Sequence, residues 1–268
     1  MGTVSVPVCT PAGARGRGGS SAASLDSRAG RAGMNITWCR FSAWRLLTVF
    51  VMLLLPGLGM AAPVSEAEQV MFLDDHLANV TRSETLEYRI VSSGTLDAPY
   101  TSRAAVAVRL AKDAKAKTAT SDCFDGPHQV NLPPAEDAHG NPVVLCFLEA
   151  AVRDMKRRTG GAQAFFRRRI RMALAEAAQV QSVQFEFDGR QVSGTQIRVR
   201  PYRNDPMRER LKNFDEVLFV LTFSSQIPGS VYQIRSEVAG RDGGAPAILE
   251  VLTFSGVGAF QSISSEVQ

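Results

Sequence analysis

The sequence predicts an α+β fold, a curved antiparallel sheet covered on one face by an N-terminal helix and a helical hairpin. Three observations carry this reading. Leu86, Tyr88 and Ile90 alternate with Glu87 and Arg89, and Ala104, Val106, Val108 and Leu110 alternate in the same way. That period of two marks strands with one buried face. Leu145, Leu148, Val152 and Met155 then recur at helical spacing, and a second stripe follows at Phe166, Ile170, Ala173, Leu174 and Ala177. Strand-like segments fill the remainder, so strands and helices come in blocks rather than in βαβ alternation.

The elements follow in order. Ser65-Glu66-Ala67-Glu68 reads as a capping box ahead of Val70, Leu73, Leu77 and Val80, which predicts a helix over 66–79. The two alternating strands come next. Lys112–Lys117 reads as a turn or an exposed hairpin end. Asn141-Pro142 opens the first helix of the hairpin, with Asn as N-cap and Pro at the first helical position. Gly160-Gly161 ends it, because glycine tolerates the left-handed C-terminal conformation. The second helix is predicted over 162–178, and so short a connection implies antiparallel packing. Val183, Phe185 and Phe187 alternate, as do Ile197 and Val199, and Asp205-Pro206 starts a short helix through about Asn213. Strands at Val217–Phe223, Val231–Val238 and Ala247–Phe254 finish the chain, the last two joined at Arg241-Asp242-Gly243-Gly244.

Ahead of this domain lies an export signal. From Met34 the chain carries Arg40 and Arg45, then the uncharged run Leu46–Leu55, then Pro56-Gly57 and small residues. Basic, apolar and small-residue regions in that order make a secretory leader, with cleavage after Ala61 at Gly59-Met60-Ala61. An uncleaved anchor is the competing reading, but the run is shorter than the ~20 residues of a spanning helix. Residues 1–33, rich in Gly, Ala, Ser and Arg, read as a disordered extension upstream of the true start at Met34, or alternatively as a long disordered n-region of the signal. The organisation is therefore 1–33 extension, 34–61 signal peptide and 62–268 a single α+β domain, periplasmic or secreted, with no stable membrane span after processing.

The formal net charge of +4 belongs to the leader. Removing its six Arg and one acid from 30 basic and 26 acidic residues leaves 24 and 25, a net of −1. A nucleic-acid-binding role loses its electrostatic basis. Lys156-Arg157-Arg158 and Arg167-Arg168-Arg169-Arg171 fall on the helical hairpin, as a solvated face or as a contact for anionic lipid or an acidic partner.

The domain has two cysteines, Cys123 and Cys146. In an oxidising compartment they suit a disulfide, and two buried free thiols are the alternative. His128 and His139 lie between them, so Cys123, His128, His139 and Cys146 form a candidate metal set, though at spacings that match no common zinc or copper pattern. Asp74-Asp75-His76 reads as a solvated helix face, because successive helical positions point apart. There is no G-x-S-x-G, H-E-x-x-H or P-loop pattern, and the sequence predicts neither metal nor cofactor.

Gly140–Ala178 (GNPVVLCFLEAAVRDMKRRTGGAQAFFRRRIRMALAEAA), with LEYRIVSSGTL before it and IRVRPYRNDP and IPGSVYQIRSEV after it, resembles a group of uncharacterised exported proteins of Gram-negative bacteria. That resemblance implies a compartment and no activity. More weakly, a first helix leading into a strand that opens a curved sheet is similar to the LolA-type periplasmic lipoprotein carriers, which implies a half-closed barrel plugged by helices. The residues expected on the apolar face are Tyr88, Phe166, Phe185, Phe187 and Phe219, in a mostly sealed core with at most a modest groove. The functional expectation is a non-enzymatic envelope protein that binds an apolar ligand or a protein partner. The alternative is a periplasmic hydrolase whose site is built from loops.

Overall fold

The first strand, β1 (Glu84–Ser93), buries Leu86, Tyr88 and Ile90 and exposes the residues between them, as its alternation predicts. It lies inside the sheet, third from one edge, in the computed structural model, which describes residues 63–112, 116–240 and 244–263. The further strands are β2 (Tyr100–Leu110), β3 (Lys117–Cys123), β4 (Gln179–Phe187), β5 (Arg190–Val199), β6 (Leu218–Phe223), β7 (Val231–Val238) and β8 (Ile248–Ala259). They form one 8-stranded sheet in the order β3-β2-β1-β8-β7-β6-β5-β4. Every pairing is antiparallel. Two meanders, β1–β3 and β4–β8, thus meet where β1 pairs with β8, with Tyr88 opposite Phe254 and Ile90 opposite Leu252. Register shifts at Glu87/Tyr88 and Thr222/Phe223 bend the sheet.

Between the meanders lies the helical hairpin, α2 (Val143–Thr159) and α3 (Gln163–Glu176). The N-cap of α2 is Pro142 rather than the predicted Asn141, whose Oδ1 accepts from the Val143 N–H at 3.1 Å just ahead of the helix, and Gly160 ends α2 at φ 75°. A side chain on Gly161 would come within 2.6 Å of the Phe166 ring, so the second glycine makes room for the first core residue of α3. The hairpin lies over the sheet face of Phe219, Leu221 and Ile197. The Phe147 ring meets Phe219 edge-on at 6.4 Å, and Phe166 meets Tyr202 at 5.7 Å. Sheet and helices share one buried cluster, and Tyr88, Phe166 and Phe219 are all within it.

The N-terminal helix departs from its predicted length. The capping box forms, with the Glu68 N–H and the Ser65 Oγ at 3.1 Å, and the Ser65 N–H and the Glu68 carboxylate also at 3.1 Å. The helix, α1, covers only Glu66–Glu68 and runs into a π-turn over Gln69–Leu73. The Asp74 N–H reaches back to the Gln69 carbonyl at 2.9 Å, and Asp74 itself is extended. The Leu77 N–H, which a longer helix would use internally, is taken by the His139 carbonyl at 3.1 Å and by Asp75 Oδ1 at 3.1 Å. Leu77 and Val80 are still buried, carried by a separate turn.

Other elements also differ from the sequence reading. Strand β3 occupies Lys117–Cys123, beyond the expected Lys112–Lys117 turn, in a segment whose alternation is weak because its burial rests on Ala119 and Cys123 alone. Leu145 is 47 % exposed, since the buried stripe of α2 runs instead through Val144, Leu148, Ala151, Val152 and Met155. Phe185 and Phe187 pack against the core cluster from the β4–β5 hairpin, where Phe254, the cross-strand partner of Tyr88, receives Phe187. They sit half-buried near the hairpin tip, where Phe185 stacks on Tyr232 at 4.2 Å and Phe187 meets Phe254 at 6.0 Å. The β4–β5 hairpin overhangs β6, which pairs with β5 only from Thr195 onward. The leader, the 1–33 extension and most of the Arg241–Gly244 turn lie outside the described residues.

Candidate ligand groove and acid–base cleft

Most of the large apolar side chains are inside the core, and two of the exposed ones stand together. Phe72 is 42 % exposed and Leu145 47 %. Together with Leu148, Val152, Ile170 and Leu174 they line a groove of about 360 Å³ between α1, α2 and α3. The π-turn delivers Phe72 to it, and the Ser65 hydroxyl holds α1 in place by donating to the Leu174 carbonyl at 3.0 Å. Charged residues border the apolar strip. Arg167 spans from α3 to Glu149 on α2 through two hydrogen bonds, at 2.8 and 2.7 Å, and Glu68 and Arg171 complete the border. A concave apolar surface with a few polar groups at its edge is the usual form of a small-ligand site, and its volume falls in the lower part of that range.

A second opening is chemically different. Asp97, Tyr100, His128, Asp154, Arg158 and Glu250 face a cleft of about 460 Å³ beside the C-terminal half of α2. The Tyr100 hydroxyl donates to Glu250 Oε1 at 2.9 Å. Burial pushes the Glu250 carboxyl above the usual carboxylate range, and Asp154 and Asp97 add to this, while Tyr100 and Arg158 oppose it. The hydrogen bond from Arg158 holds Asp97 below that range. The Arg158 guanidinium is gripped by Asp97 and Asp154 together, and Arg157 reaches Asp154 at 2.5 Å. Burial raises the Tyr100 phenol, and the adjacent Glu250 raises it further. The His128 ring lies flat on Tyr100, centroids 4.0 Å apart. One carboxyl, Glu250, biased toward its acid form beside another, Asp97, biased toward its ionised form is the arrangement that separates a general acid from a base.

The candidate metal set does not assemble. Cys123 and Cys146 are bonded to each other, with Cα atoms 5.5 Å apart and both side chains fully buried. His128 is on Tyr100, and His139 Nδ1 is 3.2 Å from the Asp75 carboxylate. Among the described residues no group of three or more His, Cys, Asp or Glu would hold a metal ion. His76 is 3 % exposed and not on a solvated face. Its Nε2–H donates to the Val70 carbonyl at 2.7 Å, and its Nδ1 accepts the Asn141 N–H at 3.2 Å. Both ring nitrogens are satisfied by the neutral form, and burial lowers the pKa from 6.5.

Sequence reading missed Phe72, Tyr100, Asp154 and Glu250, and placed Arg158 on a solvated or partner-facing surface where its side chain is only 9% exposed. Glu250 had a signal, an acid inside the apolar run ILEVLTF. Phe72 had none, because it falls off the helical stripe of Val70, Leu73 and Leu77.

Solved structures of 10–13% identity match most of the chain. The lipoprotein LppX of Mycobacterium tuberculosis aligns with 75% of this chain and 100% of its own, at 10% identity and a TM-score of 0.33. LprF of Mycobacterium bovis aligns with 77% of this chain and 99% of its own, at 13% identity and a TM-score of 0.31. A LolA superfamily protein of Nitrosomonas europaea aligns with 74% of this chain and 94% of its own, at 11% identity and a TM-score of 0.24. No family model and no curated protein matches the chain.

Proposed function

We propose that the chain is exported through a leader at residues 34–61 and that the domain from about Ala62 binds an apolar ligand outside the cytoplasm, without catalysing a reaction. The groove between α1 and the helical hairpin carries this reading. It keeps Phe72 and Leu145 in water when the rest of the stripe is buried. Covering a large apolar side chain is worth roughly 1.5–3 kcal/mol, so these two residues supply a drive for binding. Arg171 at the border suits an anionic head group, and the ligand class is therefore a single-chain amphiphile such as a fatty acid.

The test is uptake of a fluorescent fatty acid by the purified protein. Phe72→Asp and Leu145→Asp should each abolish uptake and leave thermal unfolding almost unchanged, because both side chains already face solvent. A wild type that takes up no probe, and that is recovered from its native envelope bound to another protein, would turn the groove into a partner-docking surface. Recovery of exported protein that still contains residues 46–55 would overturn the cleaved leader.

The cleft supports a second reading, an exported hydrolase in which Glu250 serves as general acid. Its specific support is the carboxyl raised by burial beside ionised Asp97. Glu250→Gln should then abolish hydrolysis of model esters or glycosides and leave probe uptake intact. Absence of any turnover by the wild type leaves the binding reading alone.

A further inference from the structure

The two edges of the sheet are treated differently. The free side of β3 is roofed by the following segment through bridges at Ala119–Ala135 and Cys123–Val130. That segment contains Pro133 and Pro134, which cannot donate to a further strand. The other edge, β4, has no backbone hydrogen bond to a further strand among the described residues. It is 9 residues long, without proline, lysine or bulge, and Glu186 is its sole charge. Edge strands are normally blunted by one of those devices, since unpaired backbone groups recruit another strand.

We infer that β4 pairs with β4 of a second copy of this chain, antiparallel about a two-fold axis, to make one continuous sheet. The register follows from the hairpin. Asp188 and Gly189 both have positive φ, 49° and 69°, in a two-residue turn closed by Phe187 opposite Arg190. In such a turn the closing pair is hydrogen-bonded, so Phe187, Phe185, Val183 and Gln181 spend their backbone groups on β5. Val180, Ser182, Gln184 and Glu186 turn theirs outward. A two-fold centred on Val183 sets Val180 against Glu186 of the second copy and Ser182 against Gln184. Every outward N–H and C=O is then used. No charge meets a like charge, because Glu186 faces Val180. The two Val183 side chains meet at a non-hydrogen-bonded position, where cross-strand neighbours are closest.

Sedimentation equilibrium of the purified chain tests this. The wild type should be a dimer at micromolar concentration. Gln184→Pro removes an outward N–H without touching the bonds to β5, and should give a monomer with an unchanged near-ultraviolet spectrum. A wild-type monomer, or a Gln184→Pro dimer, overturns the inference. Should Gln184→Pro fail to fold, Val183→Cys decides. On oxidation it should form a covalent dimer, where Glu87→Cys on the exposed face of β1 does not. No more crosslinking at 183 than at 87 overturns it.

Discussion

Asn141 Nδ2 donates to the phenol oxygen of Tyr88 at 2.8 Å, and both groups are buried. The same amide nitrogen donates to the Gly229 carbonyl at 2.8 Å, while Oδ1 accepts from the Val143 N–H. One side chain therefore joins β1, the β6–β7 turn and the start of α2.

Asn141→Ala should destabilise the domain by about 2–4 kcal/mol. The figure combines roughly 1 kcal/mol for the lost bond to the Val143 N–H with about 1–3 kcal/mol for the Tyr88 hydroxyl left buried and unpaired, since the Gly229 carbonyl still accepts from the Val231 N–H. Urea unfolding followed by circular dichroism measures it. A loss below about 1 kcal/mol would mean that water replaces the amide. A side chain at Gly229 would strike both Leu86 and Asn141, so Gly229→Ala should also destabilise.

His76 makes stability depend on pH. Its folded pKa is lowered, so below pH 6.5 the unfolded chain binds a proton that the native state refuses. Stability should fall as pH drops through 6.5 toward the folded value. Glu250 acts with the opposite sign. Its folded pKa is raised, so the stability it contributes is present below its usual 4.5 and fades as pH rises through the folded value. NMR titration of the His76 ring should give a midpoint below 6.5. A midpoint at or above 6.5 contradicts the neutral, doubly bonded imidazole.

The Cys123–Cys146 bond spans a sequence separation of 23 and both sulfurs are buried. In the chain-entropy account a loop of that size contributes about 3 kcal/mol. Replacing both cysteines with alanine should lower the urea midpoint accordingly. Dithiothreitol should reduce the bond quickly in urea and slowly in buffer, which mass spectrometry after alkylation will register.

Phe166→Asp places a charge where the side chain is fully enclosed against Tyr202. Removal of a buried Phe alone costs about 3–5 kcal/mol, and the unpaired carboxylate adds to it. The variant should be unfolded by near-ultraviolet circular dichroism. A folded Phe166→Asp that loses only fatty-acid uptake would show that the core opens beneath the groove.

Much of the fold can be read from local sequence where burial and periodicity agree. β1 is an example, since Leu86, Tyr88 and Ile90 fall on one face and that face is the core. The local bonds of Ser65 and Asn141 are legible because their partners lie within three residues. Alternation at Phe185 and Phe187 reports a strand but not which face it buries. That is decided by pairing with β5, and β5 is placed by β6. The cleft was hidden for a related reason. Tyr100 and Glu250 are separated by 150 positions, and only the β1–β8 pairing brings their strands together. β3 was obscured by composition, because KTATSDC contains little that seeks the interior.

The adjacency of β1 and β8 sets a clock on folding. Glu84 pairs with Ala259, so the junction of the two meanders cannot zip until almost all of the described domain exists. At a synthesis rate of roughly 5–20 residues per second, β1 waits on the order of ten seconds or more for its partner. During that interval each meander is half a sheet with an open flank, and neither can seal the hairpin helices.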